Sequence, residues 1–162
     1  MRKHLILLAA VALMATAATA QTPSLKVGAS LQYAHDFHQS KPNIGADLRA
    51  VVDLCDIVGF RAIANINGFV PDGFDRYGAA MMGVTVGHKM AYCFADFGFS
   101  LNPSSRQRIN PDIDTGIGIR YDIADLHRLF AEVGTDFTPT GRNDWHTNLF
   151  AKIGYTLKIL QP

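Results

Sequence analysis

Hydrophobic and polar residues alternate along most of the chain with a period of two, the spacing of strands that have one apolar face. The pattern opens with Leu25, Val27, Ala29, Leu31 and Tyr33, interleaved by Lys26, Gly28, Ser30 and Gln32. It returns over 44–54, 58–66, 80–86, 91–101, 113–123, 129–137 and 149–159. The run at 113–123 is the most regular, with Ile113, Thr115, Ile117, Ile119, Tyr121 and Ile123 set against Asp114, Gly116, Gly118, Arg120 and Asp122. Eight strands are predicted, and no stretch reads better as an amphipathic helix. Segments rich in Pro, Gly, Asn and Asp near 36–43, 70–76, 102–112 and 138–144 read as longer connections. Those near 54–57, 87–91 and 123–128 read as tight turns. Four hairpins in sequence order make an antiparallel meander.

The two faces of these strands differ in chemistry. One carries no charge. The other carries Lys26, Asp47, Arg49, Asp53, Arg61, Asp96, Arg120, Asp122, Glu132, Asp136, Lys152 and Lys158, together with most of the 14 glycines. A soluble barrel or sandwich would turn the apolar face inward. A membrane barrel would turn it toward lipid and line its interior with the charged face. The even mixture of signs suits an enclosed network in which each charge has a partner. Glycine on the polar face makes room in a narrow interior for Arg and Lys chains. Aromatic residues gather toward strand ends: Tyr33, Phe37, Phe69, Phe74, Tyr77, Phe99, Phe137 and Trp145 near the longer connections, with Tyr121 and Tyr155 elsewhere. The expected fold is therefore all-β, a closed eight-stranded antiparallel up-and-down transmembrane β-barrel. Closure must pair the strand near 24–34 with the strand near 147–159, because a bilayer leaves no backbone group unpaired. The expected interior charge network is Lys26, Asp47, Arg49, Arg61, Asp96, Arg120, Asp122, Glu132, Asp136 and Lys152.

Composition narrows the field without naming a task. The chain has 162 residues, 48% hydrophobic and 18% charged, which argues against disorder. A net charge of +1 gives no basic surplus for nucleic acid. Residues 1–20 read as a signal peptide: basic Met1-Arg2-Lys3-His4, an apolar run from Leu5 to Met14, and small Ala18 and Ala20 shaping cleavage before Gln21. The run is short for a membrane helix and polar residues follow it at once. No Cys follows the cleavage point to carry a lipid. Residues 21–162 form the expected barrel domain, exported from the cytoplasm of a Gram-negative type of cell.

Near the C-terminus, Lys152, Gly154, Leu157 and Ile159 fill the defined places of a pattern that resembles the outer-membrane insertion signal. The ending Leu160-Gln161-Pro162 departs from it, since many such chains stop on Phe. The mature chain as a whole resembles the small eight-stranded outer-membrane barrels, the porin-like or OmpA/OmpX type. That resemblance implies residence in the cell outer membrane, contact with outer-membrane lipid and lipopolysaccharide, and handling by the barrel assembly machinery during insertion. It implies no cofactor, and a monomer is expected. Such families hold anchors, adhesion or defence proteins, narrow conductors and a few lipid-modifying enzymes. The leading expectation is a structural or interaction role in the outer membrane. The alternatives are a narrow channel for ions or small solutes and a soluble periplasmic lipocalin-like barrel.

No catalytic or metal site is expected. His38-Gln39-Ser40, near Asp36, lies in a segment ending Lys41-Pro42-Asn43 that reads as a turn rather than an acyl-transfer site. His35 and His38 are three apart, and extended chain would aim them to opposite faces. Cys55 and Cys93 belong to strands well apart around an eight-stranded ring, so both are expected as free thiols. Lys41, Arg76, Arg106, Arg108 and Arg142 fall in the longer connections, where they could pair with lipid phosphates.

Overall fold

The computed structural model describes residues 23–37, 41–67, 78–88, 90–101, 109–139 and 145–160. Eight strands occupy nearly all of them: β1 (Ser24–Asp36), β2 (Lys41–Asp53), β3 (Val58–Asn67), β4 (Gly78–His88), β5 (Ala91–Leu101), β6 (Ile109–Ile123), β7 (His127–Pro139) and β8 (Trp145–Leu160). Each pairs antiparallel with the next, and β8 pairs with β1, so the sheet is a closed barrel. The register defines its shape. A row of partners starts at Lys26 and runs through Val51, Arg61, Gly83, Asp96, Asp114, Asp136 and Asn148. It returns to β1 at Asp36, 10 residues beyond its start. That offset tilts the strands by about 40° and leaves an interior only wide enough for side chains to fill.

Strands extend further at the loop end than the composition suggested. Ile109–Asp112 opens β6, Lys41–Asn43 opens β2, and Thr138 and Pro139 close β7. Asn43, Asn110 and Asp112 had the look of turn residues. They are buried inward instead, and their polarity belongs to the lumen rather than to a bend. Pro42, Pro111 and Pro139 sit close to strand ends, where a missing N–H costs the ladder least.

The opposite end of the barrel carries the start of β1, the end of β8 and three tight connections. Their carbonyls continue the ladder: Ile57, Met90 and Leu126 accept from the N–H groups of Gly87, Arg120 and Lys158, each at 2.8 Å. Ala124, in the turn between β6 and β7, takes a left-handed φ of 58° to make the reversal.

The sidedness is inverted relative to a water-soluble barrel. Leu31, Leu48, Phe97, Ile117 and Ile153 face outward, Leu48 with 68% of its surface exposed. Asp47, Arg49, Arg61, Asp96, Glu132 and Lys152 are buried within. An apolar surface on all eight strands is far larger than a soluble monomer carries and matches a lipid-facing band. The soluble lipocalin-like alternative is thereby overturned, since it requires the apolar face inside.

Placing a charge on that band measures the sidedness. Ile153 faces outward midway along β8. Ile153→Arg is expected to lower the unfolding free energy in lipid vesicles by about 2–4 kcal/mol, read by urea titration of the refolded protein.

The barrel interior as candidate functional site

Glu132, on β7, is the hub of the interior. It accepts hydrogen bonds from Arg49 Nη1 (2.9 Å) and Nη2 (3.2 Å) on β2, from Arg61 Nη1 (2.5 Å) on β3, and from the Tyr92 hydroxyl (2.7 Å) on β5. Each guanidinium has a second carboxylate. Arg49 donates to Asp47 from Nε (3.1 Å) and Nη2 (2.9 Å). Arg61 donates to Asp96 from Nε (2.6 Å) and through a second ion-pair contact. Lys152 Nζ lies 3.6 Å from Asp47 and 3.9 Å from Asp114. One network thus joins six strands across the lumen. Burying these ions is costly, and near-complete pairing offsets that cost.

Four aromatic rings brace the same level. The Arg49 guanidinium lies 3.9 Å from the centroid of Phe130, Arg61 lies 4.1 Å from Phe94, Arg120 lies 5.4 Å from Tyr92, and the Lys152 ammonium lies 4.5 Å from Phe150. Each is a cation–π contact, and those of Arg49, Arg61 and Lys152 are buried, where such contacts are strongest. The other side of each ring meets glycine. A Cβ at Gly116 would come within 2.6 Å of Phe94, at Gly118 within 2.4 Å of Tyr92, at Gly134 within 2.8 Å of Phe150, and at Gly154 within 2.3 Å of Phe130. The room made by these glycines is therefore taken by rings rather than by Arg and Lys chains, and the cations stack on the rings. Sequence reasoning gave these four aromatics no role. Their place on the polar face was visible from parity alone.

A second cluster lies at the mouth at the terminus end. Lys26 pairs with Asp53 and donates to Ser24 Oγ (3.0 Å). Arg128 donates to Asp53 (2.9 Å) and to Asp122 (2.5 and 3.1 Å). Arg120 donates to the Asp56 carbonyl at 3.1 Å. Asp122 was expected inside, but its side chain is 57% exposed, because β6 ends one residue later and leaves it on the rim. Arg128 was overlooked because 123–128 read as a turn, whereas β7 already begins at His127.

Acids are in excess toward the loop end, while the terminus end mixes both signs. β1, β6 and β7 each carry a base near the terminus end (Lys26, Arg120, Arg128) and an acid near the loop end (Asp36, Asp112, Asp136). Among the described residues seven buried carboxylates face four buried bases, so the even balance of the sequence pattern does not hold inside. The acids have neutral partners as well: Asp136 accepts from Asn148 (2.7 Å) and Asp112 from Thr138 (3.0 Å).

The remaining candidates are quickly placed. Lys152 and Gly154 of the C-terminal pattern point inward on β8, Leu157 is half-buried, and Ile159 faces out. Ala18, Ala20 and Gln21 lie outside the described residues, as do His38, Phe69, Phe74, Tyr77, Arg76, Arg106, Arg108 and Arg142. Among the described residues no cluster could hold a metal ion. Cys55 is buried in its turn, Cys93 is on the outer face, and both are free.

No protein-family model and no curated protein matches the sequence. The structure is nevertheless similar to solved ones. Neisserial surface protein A aligns with a TM-score of 0.55 and 12% identity, over 85% of this chain and 97% of that one. Ail, the attachment invasion locus protein of Yersinia pestis, aligns at 0.53 and 9%, over 86% and 99%. A de novo designed transmembrane β-barrel aligns at 0.53 and 15%, over 84% and 95%. The fold is that of the small eight-stranded outer-membrane barrels. At such low identity the likeness carries the architecture, while the interior chemistry belongs to this chain.

Removing the hub leaves two buried guanidiniums short of charge. Glu132→Gln is expected to cost about 3 kcal/mol of unfolding free energy, measured by reversible urea unfolding in vesicles. A cost below about 1 kcal/mol would mean that the network is solvated.

Proposed function

We propose that the chain is a closed-lumen barrel of the bacterial outer membrane with a structural or interaction role. One observation carries this reading: at the level of Glu132 the cross-section is filled by Arg49, Arg61, Tyr92, Phe94 and Phe130, all buried. An eight-stranded ring has no spare width beside such a layer. The apolar exterior and the likeness to Ail and Neisserial surface protein A support the outer-membrane location. No catalytic step belongs to this reading. Lipid and lipopolysaccharide are the proposed surroundings of the outer face, with insertion by the barrel assembly machinery directed by Lys152, Gly154, Leu157 and Ile159.

A narrow channel is the competing reading. It draws on the polar loop half, where Gln32 Nε2, Asn65 Oδ1 and Ser100 Oγ are buried without a protein partner and are suited to water. Planar bilayers separate the two. Purified wild-type protein is expected to give no discrete conductance steps. Regular single-channel steps from the pure protein, absent from a refolding blank, would favour the channel.

A further inference from the structure

Among the described residues, the outward positions of all eight strands hold no Lys, Arg, Asp or Glu. The ionisable side chains there are tyrosines, Cys93 and three histidines, His35, His88 and His127. The histidines are not scattered over the apolar band. His35 is the next outward position after Tyr33 toward the loop end of β1, half-buried and edge-on to Phe37 at 5.5 Å. His127 opens β7, one outward position beyond Leu129, which pairs with Tyr121 on β6 and with Tyr155 on β8. His88 ends β4 at the same end of the barrel, opposite Ala91.

Tyrosines mark the level at which hydrocarbon gives way to headgroups. Two residues further along a strand tilted by about 40° add about 5 Å of height, and the headgroup layer is about 5–8 Å deep on each side of a bilayer. His127 therefore stands in that layer, at the height of the lipid phosphates, and His88 stands where its strand leaves the apolar band. Both are exposed. The His127 Nδ1 is hydrogen-bonded to the Tyr155 hydroxyl, which holds the ring on the outer face and leaves Nε2 for a ligand.

The charged groups at that end on the elements around His127 are Asp122 on β6, Asp125 in the turn, Arg128 on β7 itself and Lys158 on β8. Asp122 and Arg128 pair with each other. Those adjoining His88 are Lys89, Asp56 in the turn that bonds Gly87, and Arg120, which bonds Met90. Among the described residues neither imidazole has a carboxylate partner. A neutral imidazole in this layer is an amphipathic ring. Protonated, it is a cation with N–H donors, and histidine gains its proton between about pH 8 and pH 5. The acceptor at that height is a lipid phosphate, and the bond is charge-assisted.

We propose, on the reading of the outer face as lipid-bound, that His88 and His127 are phosphate ligands for lipid in the leaflet at the terminus end, engaged when protonated and released when neutral. Binding is then present at low pH and lost as pH rises through the imidazole titration.

The test is 15N–31P dipolar dephasing in solid-state NMR. The full barrel, labelled at its histidine ring nitrogens, is refolded in vesicles of phosphatidylethanolamine and phosphatidylglycerol in phosphate-free buffer. Dephasing by the lipid phosphorus is expected at about pH 5.5 and is expected to be lost at about pH 8. His88→Gln with His127→Gln is expected to remove most of the signal at the lower pH, and each single variant a part of it. Dephasing that is absent from an inserted barrel at the lower pH, equal at both pH values, or unchanged in the variants overturns the proposal and leaves the barrel in lipid. A wild-type barrel that urea washes off the vesicles contradicts the lipid-bound reading itself, and the proposal with it. Should the double variant not refold, the single variants decide.

Discussion

Glu132 receives hydrogen bonds from Arg49, Arg61 and Tyr92 at a point where the chain surrounds it on every side. The rest of the barrel depends on that pairing. A ring of eight strands in a bilayer has no apolar core of the usual kind, because its apolar side chains face lipid. What holds the ring at its diameter must come from the inside. Here it is an ionic lattice whose members lie 83 and 71 residues from Glu132 in sequence, so each bridge ties strands that do not touch through the backbone. The lattice tolerates burial because nearly every charge in it has two opposing neighbours.

Shape and charge are coupled by the aromatic rings. A bare guanidinium over a glycine would leave a void, and a ring without a cation would leave polar lumen against carbon. Stacking Phe94, Phe130, Tyr92 and Phe150 between glycine backbone and a cation fills the width of the ring with no gap at that level. Substituting any of these glycines would push a ring into the cation above it. The layer therefore packs side chains across the lumen at the level of Glu132.

Much of this was legible in the sequence. The period of two gave the strand number and the sidedness, because a single buried charge-bearing face leaves its parity over a whole strand. Ile113 to Ile123 shows it most clearly. The boundaries at the loop end were harder. Asn110 and Asp112 carry turn composition, yet they are lumen residues, and local composition cannot separate a polar interior from a bend. Parity places Tyr92, Phe94, Phe130 and Phe150 on the polar face, but it carries nothing about the cations that stack on them, which come from other strands except for Lys152. The partners of Glu132 were not readable at all. They follow from the 10-residue offset of the closed register, which no single strand encodes.

One arrangement underlies the whole barrel, lipid against the odd-numbered face of β6 and β7 and ions against the other. Tryptophan quenching by lipids brominated in their acyl chains reads this directly. On a Trp145→Phe background, Ile117→Trp and Phe130→Trp place the indole on the outer face and in the lumen. This arrangement predicts strong quenching at position 117 and almost none at 130. Equal quenching at both, or the reverse order, would contradict it.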